Sequence, residues 1–292
     1  MDFLKWGRSP WGEDILIRIS WDLLYLSAIG GVLFLIGHAL YVRFWPQPVP
    51  EKGDAATTAA LAARIPERVA RHSVAARAFH WVMAAAMFVL LFSAFLPIVG
   101  VKFAWVTIHW IAGVILTLSI IYHTVHATFW LDFWSIWPEK GDIEDSRRRM
   151  LRGVGQSAPA PRKHGKYPLE NKLYHLIILI TGLAVIGTGV FMMKRVQTPF
   201  FTRNPYLFTD QAWGVMYVAH GLAGVGLVAL VMAHVYFAIR PEKLWITYSM
   251  IFGWIDRGHY LEHHDPQRWN VARPVPPPPP DEDAAKGRRI AV

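Results

Sequence analysis

From Gln211 to Ile239 the chain carries no Asp, Glu, Lys or Arg. That run is long enough to cross a bilayer, which takes about 20 apolar residues in a helix. In hydrocarbon every backbone N–H and C=O must be bonded within the protein, so a lone apolar segment has to be helical. Four more uncharged runs precede it: Leu23–Val42, Ala78–Val101, Phe103–Leu131 and Leu173–Met193. The predicted fold class is therefore all-α: an integral membrane protein of five transmembrane helices.

Composition narrows the chemistry. The 292 residues are 53% hydrophobic and include 14 Trp, as expected of a polytopic membrane protein. There is no cysteine, which excludes Cys-ligated iron–sulfur clusters, thioether-linked haem and disulfides. Any redox centre must use histidine, methionine or a diffusible cofactor. The net charge of +9 does not point to nucleic acid, because the basic residues cluster between apolar runs. They lie after the first run, after the third (Arg147, Arg148, Arg149, Arg152, Arg162, Lys163, Lys166) and after the fifth. The other loops hold only Lys102, then Lys194, Arg195 and Arg203. The positive-inside rule makes the rich segments cytoplasmic. The amino terminus is then outside and the carboxyl terminus inside, in the bacterial cytoplasmic membrane with lipid around it. No cleavable signal peptide is expected, since no small-residue cleavage site follows the first apolar run.

Four segments follow: an extra N-terminal span (1–45), a cytoplasmic linker (46–73) starting with PQPVP, a four-helix unit (74–240) and a cytoplasmic tail (241–292). The linker is expected to hold a short surface helix. Leu244–Ile255 is too short to span and is expected at the membrane surface. Pro274 and Pro276–Pro280 form a polyproline run.

The fifth run carries His220 and His234, 14 positions apart. In a helix that is ~21 Å along the axis and within about 40° of one face. Ionisable groups at membrane depth are costly and usually functional. Two imidazoles on one face, one per leaflet, point to two stacked haems. Gly221, Gly224 and Gly226 beside His220 offer room for a flat macrocycle.

Orientation sorts the remaining histidines. Spans three and five both begin outside, so His109 and His220 are the span histidines of the outer half and can pair across one haem. The inner half holds His234 with His80, His123, His126 and His175. Helical spacing favours His123, since His109 and His123 are also 14 apart. His126 is ~100° off that face, and His38 in the first span reads as a hydrogen-bonded or interfacial side chain.

The ordered motifs resemble the gamma subunit of membrane-bound formate dehydrogenases, a di-haem cytochrome b related to the b-type subunits of Ni-Fe hydrogenases and thiosulfate reductases. The resemblance covers roughly Arg71–Trp269. Its carriers are R-x-x-H-W at Arg77–Trp81, I-H-x-x-x-G at Ile108–Gly113, His220 with Gly224 and His234, and the tail motif H-H-D-P-Q-R-W at His263–Trp269. It implies His109 with His220 as outer-haem iron ligands and His80 with His234 as inner ones; His123, favoured by helical spacing, is the alternative inner ligand. It also implies a quinone near Lys166–Lys172, where Lys166, Tyr167 and Lys172 match the family and the intervening residues, Asn171 included, do not; His175 is one turn further. The first span is extra to the family's usual four.

The expected function is a di-haem cytochrome b subunit of a respiratory oxidoreductase, passing electrons from an iron–sulfur subunit and a catalytic dehydrogenase subunit to quinone. It would not be catalytic alone. The rivals are a hydrogenase or sulfur-compound-reductase subunit, or a non-redox membrane anchor or transporter.

Overall fold

A computed structural model describes residues 2–44 and 55–271. The PQPVP start of the linker and the polyproline run lie outside the described residues.

Among the described residues, five helices are long and apolar enough to cross a membrane. They are α1 (Asp22–Phe44), α3 (Val74–Phe95, continued by a tighter turn to Val99), α4 (Trp105–Trp130), α6 (Leu169–Met192) and α7 (Asp210–Ile239). α2 (Ala55–Arg64) is the expected short helix of the linker. Few residues of the five long helices are buried inside the chain. Side chains such as Leu33, Leu118 and Ile180 point outward, each more than 60% exposed, as lipid-facing residues must.

Local chemistry sets the helix starts. Ser73 caps α3, its hydroxyl accepting from Ala76 N at 3.1 Å. Thr209 caps α7 in the same way through Ala212 N at 3.2 Å. Asp210 follows in the first turn, where a carboxylate suits the positive helix end. α7 therefore begins before the apolar stretch does.

α3 packs along α4 and α6 along α7, giving two helical hairpins with sparse contact between α4 and α6. The extra helix α1 lies on α7. Ser27 Oγ donates to Val225 O at 2.9 Å, and Met232 seats over Gly31, where a Cβ would come within 3.0 Å of its methyl.

Two small sheets close the ends. β1 (Leu4–Arg8) and β2 (Asp14–Ile19) form an antiparallel hairpin that lies against α7. Ile19, 2% exposed, fills the space over Gly221 at 3.1 Å. This corrects one expectation: Gly221 admits a strand side chain, not a macrocycle, because it sits one residue, ~100°, round the helix from His220.

At the other end the linker and tail join. β3 (Arg68–Ala70) pairs with β4 (Trp254–Asp256), flanked by α8 (Leu244–Phe252) and α9 (Arg257–His263). Ile65, Val69, Ile255 and Tyr260 form a core of their own, covered by Trp245 and Trp269 among others. The piece expected at the surface is thus half of a folded cap. Its turn depends on Gly253, whose φ of +91° favours glycine and whose carbonyl accepts from both Arg71 N and His72 N at 2.8 and 3.0 Å. On the same side, α5 (Lys140–Gly153) is started by a capping box between Glu139 and Asp142.

Candidate functional site

The histidines of the bundle stand in pairs. The ring of His109 on α4 is centred 6.1 Å from that of His220 on α7. His80 on α3 and His234 on α7 are 6.4 Å apart. Two imidazoles bonding one metal ion from opposite sides, at ~2.0–2.1 Å per bond, put their ring centres roughly 6 Å apart. Both pairs meet that spacing.

Protons on the His109–His220 pair are settled by its neighbours. His109 Nδ1 is 2.9 Å from Ser93 Oγ, and His220 Nδ1 is 2.9 Å from Thr188 Oγ1. Each hydroxyl already donates to the carbonyl one turn back, Ser93 to Val89 O at 2.7 Å and Thr188 to Ala184 O at 2.6 Å. A hydroxyl has one proton, so toward the rings it can only accept. Nδ1 then carries the hydrogen in both rings, and both Nε2 lone pairs are free for a metal. All four bundle helices contribute to this arrangement.

The glycines one turn beyond each ring leave room for a flat group. A Cβ at Gly113 or Gly224 would meet nothing nearer than 3.9 Å, whereas one at Gly189 would press on His220 at 3.4 Å. The residues present therefore fit a haem held between His109 and His220.

The His80–His234 pair is built differently. No hydrogen bond reaches the ring of His80 or His234 among the described residues, and His80 Nδ1 is buried without a partner. Tyr174 stacks on His234 with ring centres 5.3 Å apart, its own hydroxyl donating to Leu230 O. His123 faces His175 at 6.4 Å and lies flat on Phe79 at 4.3 Å. His126 stacks between Tyr122 and Trp130. His38 meets Tyr236 Oη at 3.1 Å and Arg240 Nη1 at 2.9 Å.

The quinone candidates divide. Lys166 and Tyr167 stay together, Nζ 5.5 Å from the phenol ring, with Arg71 over the same ring at 5.5 Å. Burial and the neighbouring Arg71 lower the Lys166 pKa; burial raises that of Tyr167. Lys172 instead bonds Asp142 at 2.6 Å. Asn171 is exposed on the first turn of α6, and His175 belongs with His123.

Sequence reasoning missed two groups. Ser93 and Thr188 sit among apolar residues as ordinary hydroxyls, and nothing local marks their cross-helix partners. Arg71 is 4% exposed and has no carboxylate partner among the described residues. Its Nη2 donates to Lys166 O at 3.1 Å and its Nη1 lies 3.2 Å from His264 Nε2. His264 Nδ1 is 2.7 Å from Gly165 O, so that nitrogen holds the proton and Nε2 accepts from Arg71. Burial, then the nearby His164 and Arg71, outweigh the Gly165 bond and lower the His264 pKa to about 3. The tail motif thus closes over Arg71.

Residues 71–253 match the prokaryotic cytochrome b561 family. The chain is also 24% identical over 222 residues to the formate dehydrogenase cytochrome b556 subunit of Haemophilus influenzae, covering 69% of this chain and 82% of that protein.

Proposed function

Because the chain belongs to the prokaryotic cytochrome b561 family, and is thus a multi-pass membrane cytochrome b, we propose that it is the di-haem subunit of a respiratory oxidoreductase resembling formate dehydrogenase. The haem iron supplies one-electron storage. His109 and His220 hold the outer haem and His80 and His234 the inner one. Two histidines on each iron would leave it no open position for substrate, so these residues would support electron transfer and not catalysis at iron. Electrons enter from an iron–sulfur partner outside and leave to a quinone near Lys166 and Tyr167 at the cytoplasmic end.

The observation that carries this reading is the outer pair, 6.1 Å apart with both Nδ1 atoms bonded to hydroxyls. The test is the reduced spectrum of the purified protein. His109→Ala and His220→Ala should each remove one of two b-type signals. An unchanged haem-to-protein ratio in both variants overturns the pairing, and a haem-free wild type overturns the function. Gentle solubilisation should also co-purify an iron–sulfur protein.

A further inference from the structure

Threonines in these membrane helices routinely donate to the carbonyl one turn back. Thr117 bonds Gly113 O, Thr124 bonds Ile120 O and Thr181 bonds Ile177 O. Such bonds are the default for a hydroxyl in a helix, and none of these three meets an imidazole among the described residues. Ser93 and Thr188 make the same bond and in addition present an oxygen lone pair to a ring nitrogen. Ser93 is 1% exposed, so no water competes for that lone pair. The two come from different helix hairpins and reach the two opposed rings of one pair. Among the described residues the inner pair has no counterpart to either.

We infer that Ser93 and Thr188 are positioning residues for the outer haem, and that they set its midpoint potential below that of the inner haem. The inference rests on the reading that His109 and His220 hold a haem. Each Nδ1–H to hydroxyl bond fixes its ring with Nε2 toward the iron and makes the ligand more basic. A more basic ligand favours ferric over ferrous iron, which lowers the potential. With acceptors on both outer ligands and none reaching the inner ones among the described residues, an electron arriving outside runs downhill to the inner site. Direction is then written in two hydroxyls that touch neither iron nor quinone.

The test is a redox titration of the intact protein, in wild type and in Ser93→Ala, Thr188→Val, Ser93→Thr and Thr188→Ser. His220→Ala identifies which titration step belongs to the outer haem. In wild type that step should be the lower of the two. Ser93→Ala and Thr188→Val should each raise it and leave the other step where it is. A tenfold loss of ferric preference reads as ~59 mV in a one-electron couple. The hydroxyl-retaining variants should restore the wild-type value, which a purely structural role does not require. Selective loss of the outer haem from both hydroxyl-free variants, restored by the conservative ones, also supports the assignment. An outer step that is the higher of the two in wild type, or that stays put or falls in both hydroxyl-free variants with haem retained, overturns it. Those results leave the di-haem reading intact; a wild type without two b-type steps overturns that reading instead. The two substitutions lie on different helices, so misfolding of one leaves the other as the arbiter.

Discussion

Lys172 Nζ sits 2.6 Å from Asp142 Oδ2, and both residues are 3% exposed. The pair joins the start of α6 to α5. Arg268 of the tail bonds the other oxygen of Asp142, and Glu139 stands 3.6 Å from Lys172. Burial alone would raise the Asp142 pKa, but the bonds from Lys172 and Arg268 carry it below the usual carboxylate range. Removing one partner of a buried pair costs about 3–5 kcal/mol, because the other charge stays buried. Asp142→Ala removes the near carboxylate from two cations at once, leaving Lys172 with Glu139 at 3.6 Å and Arg268 with Glu139 and Asp145 at 3.7 and 3.8 Å, and should approach the lower end of that range. Lys172→Met leaves Arg268 on the carboxylate and should cost less. Thermal denaturation of the solubilised protein ranks the two, and an equal or reversed order contradicts this account.

The inner ligand pair gives a second expectation. His80 faces His234, whereas His123 faces His175 and lies on Phe79. His80→Ala should abolish the inner haem's low-spin signal, since alanine leaves the iron one axial bond short. His123→Ala should keep both haems. The reverse result would assign the inner haem to the two-histidine face of α4.

The cap should loosen in mild acid. His264 and His72 are held down to about 3, and His164 to about 4, burial being the largest cause for each. An unfolded imidazole titrates at 6.5. Below that value the unfolded cap binds more protons than the folded one, so stability is full above pH ~6.5 and falls as pH drops toward 4. The protection of amides in β3 and β4, taken relative to the intrinsic exchange rate at each pH, should fall over that window. Unchanged protection between pH 7 and 5 would show that these rings are not held neutral.

Topology is directly measurable. A reporter fused near Arg152 should behave as cytoplasmic and one near Pro205 as external, because the loop after span three holds the densest basic run. The opposite pattern inverts every inner and outer assignment above.

Five spans were legible because uncharged length is enough to announce a helix in lipid. Their starts were not. α6 begins at Leu169, four residues before its apolar run, since Lys172 is neutralised by Asp142 and so does not end the helix. The N-terminal hairpin was hidden among interfacial tryptophans, although the alternation Ile15, Ile17, Ile19 and the Gly12 turn, φ +86°, were there to be read. That His109 and His220 lie side by side was legible from the depth of each in spans that run the same way. Ser93 and Thr188 were not, because their partners lie 16 and 32 residues away and only helix packing brings them together.

α7 also works as a ruler with a phase. His220 and His234 ride on one continuous helix, Asp210–Ile239, so no hinge lies between them. One residue inserted between Gly224 and Ala233 would lengthen the rod by only ~1.5 Å but swing the second imidazole by ~100°. Separation would survive and facing would not. The facing of the two imidazoles is therefore far less tolerant of length polymorphism in this helix than of substitution, and relatives that keep both histidines should differ in its sequence while conserving its count of residues.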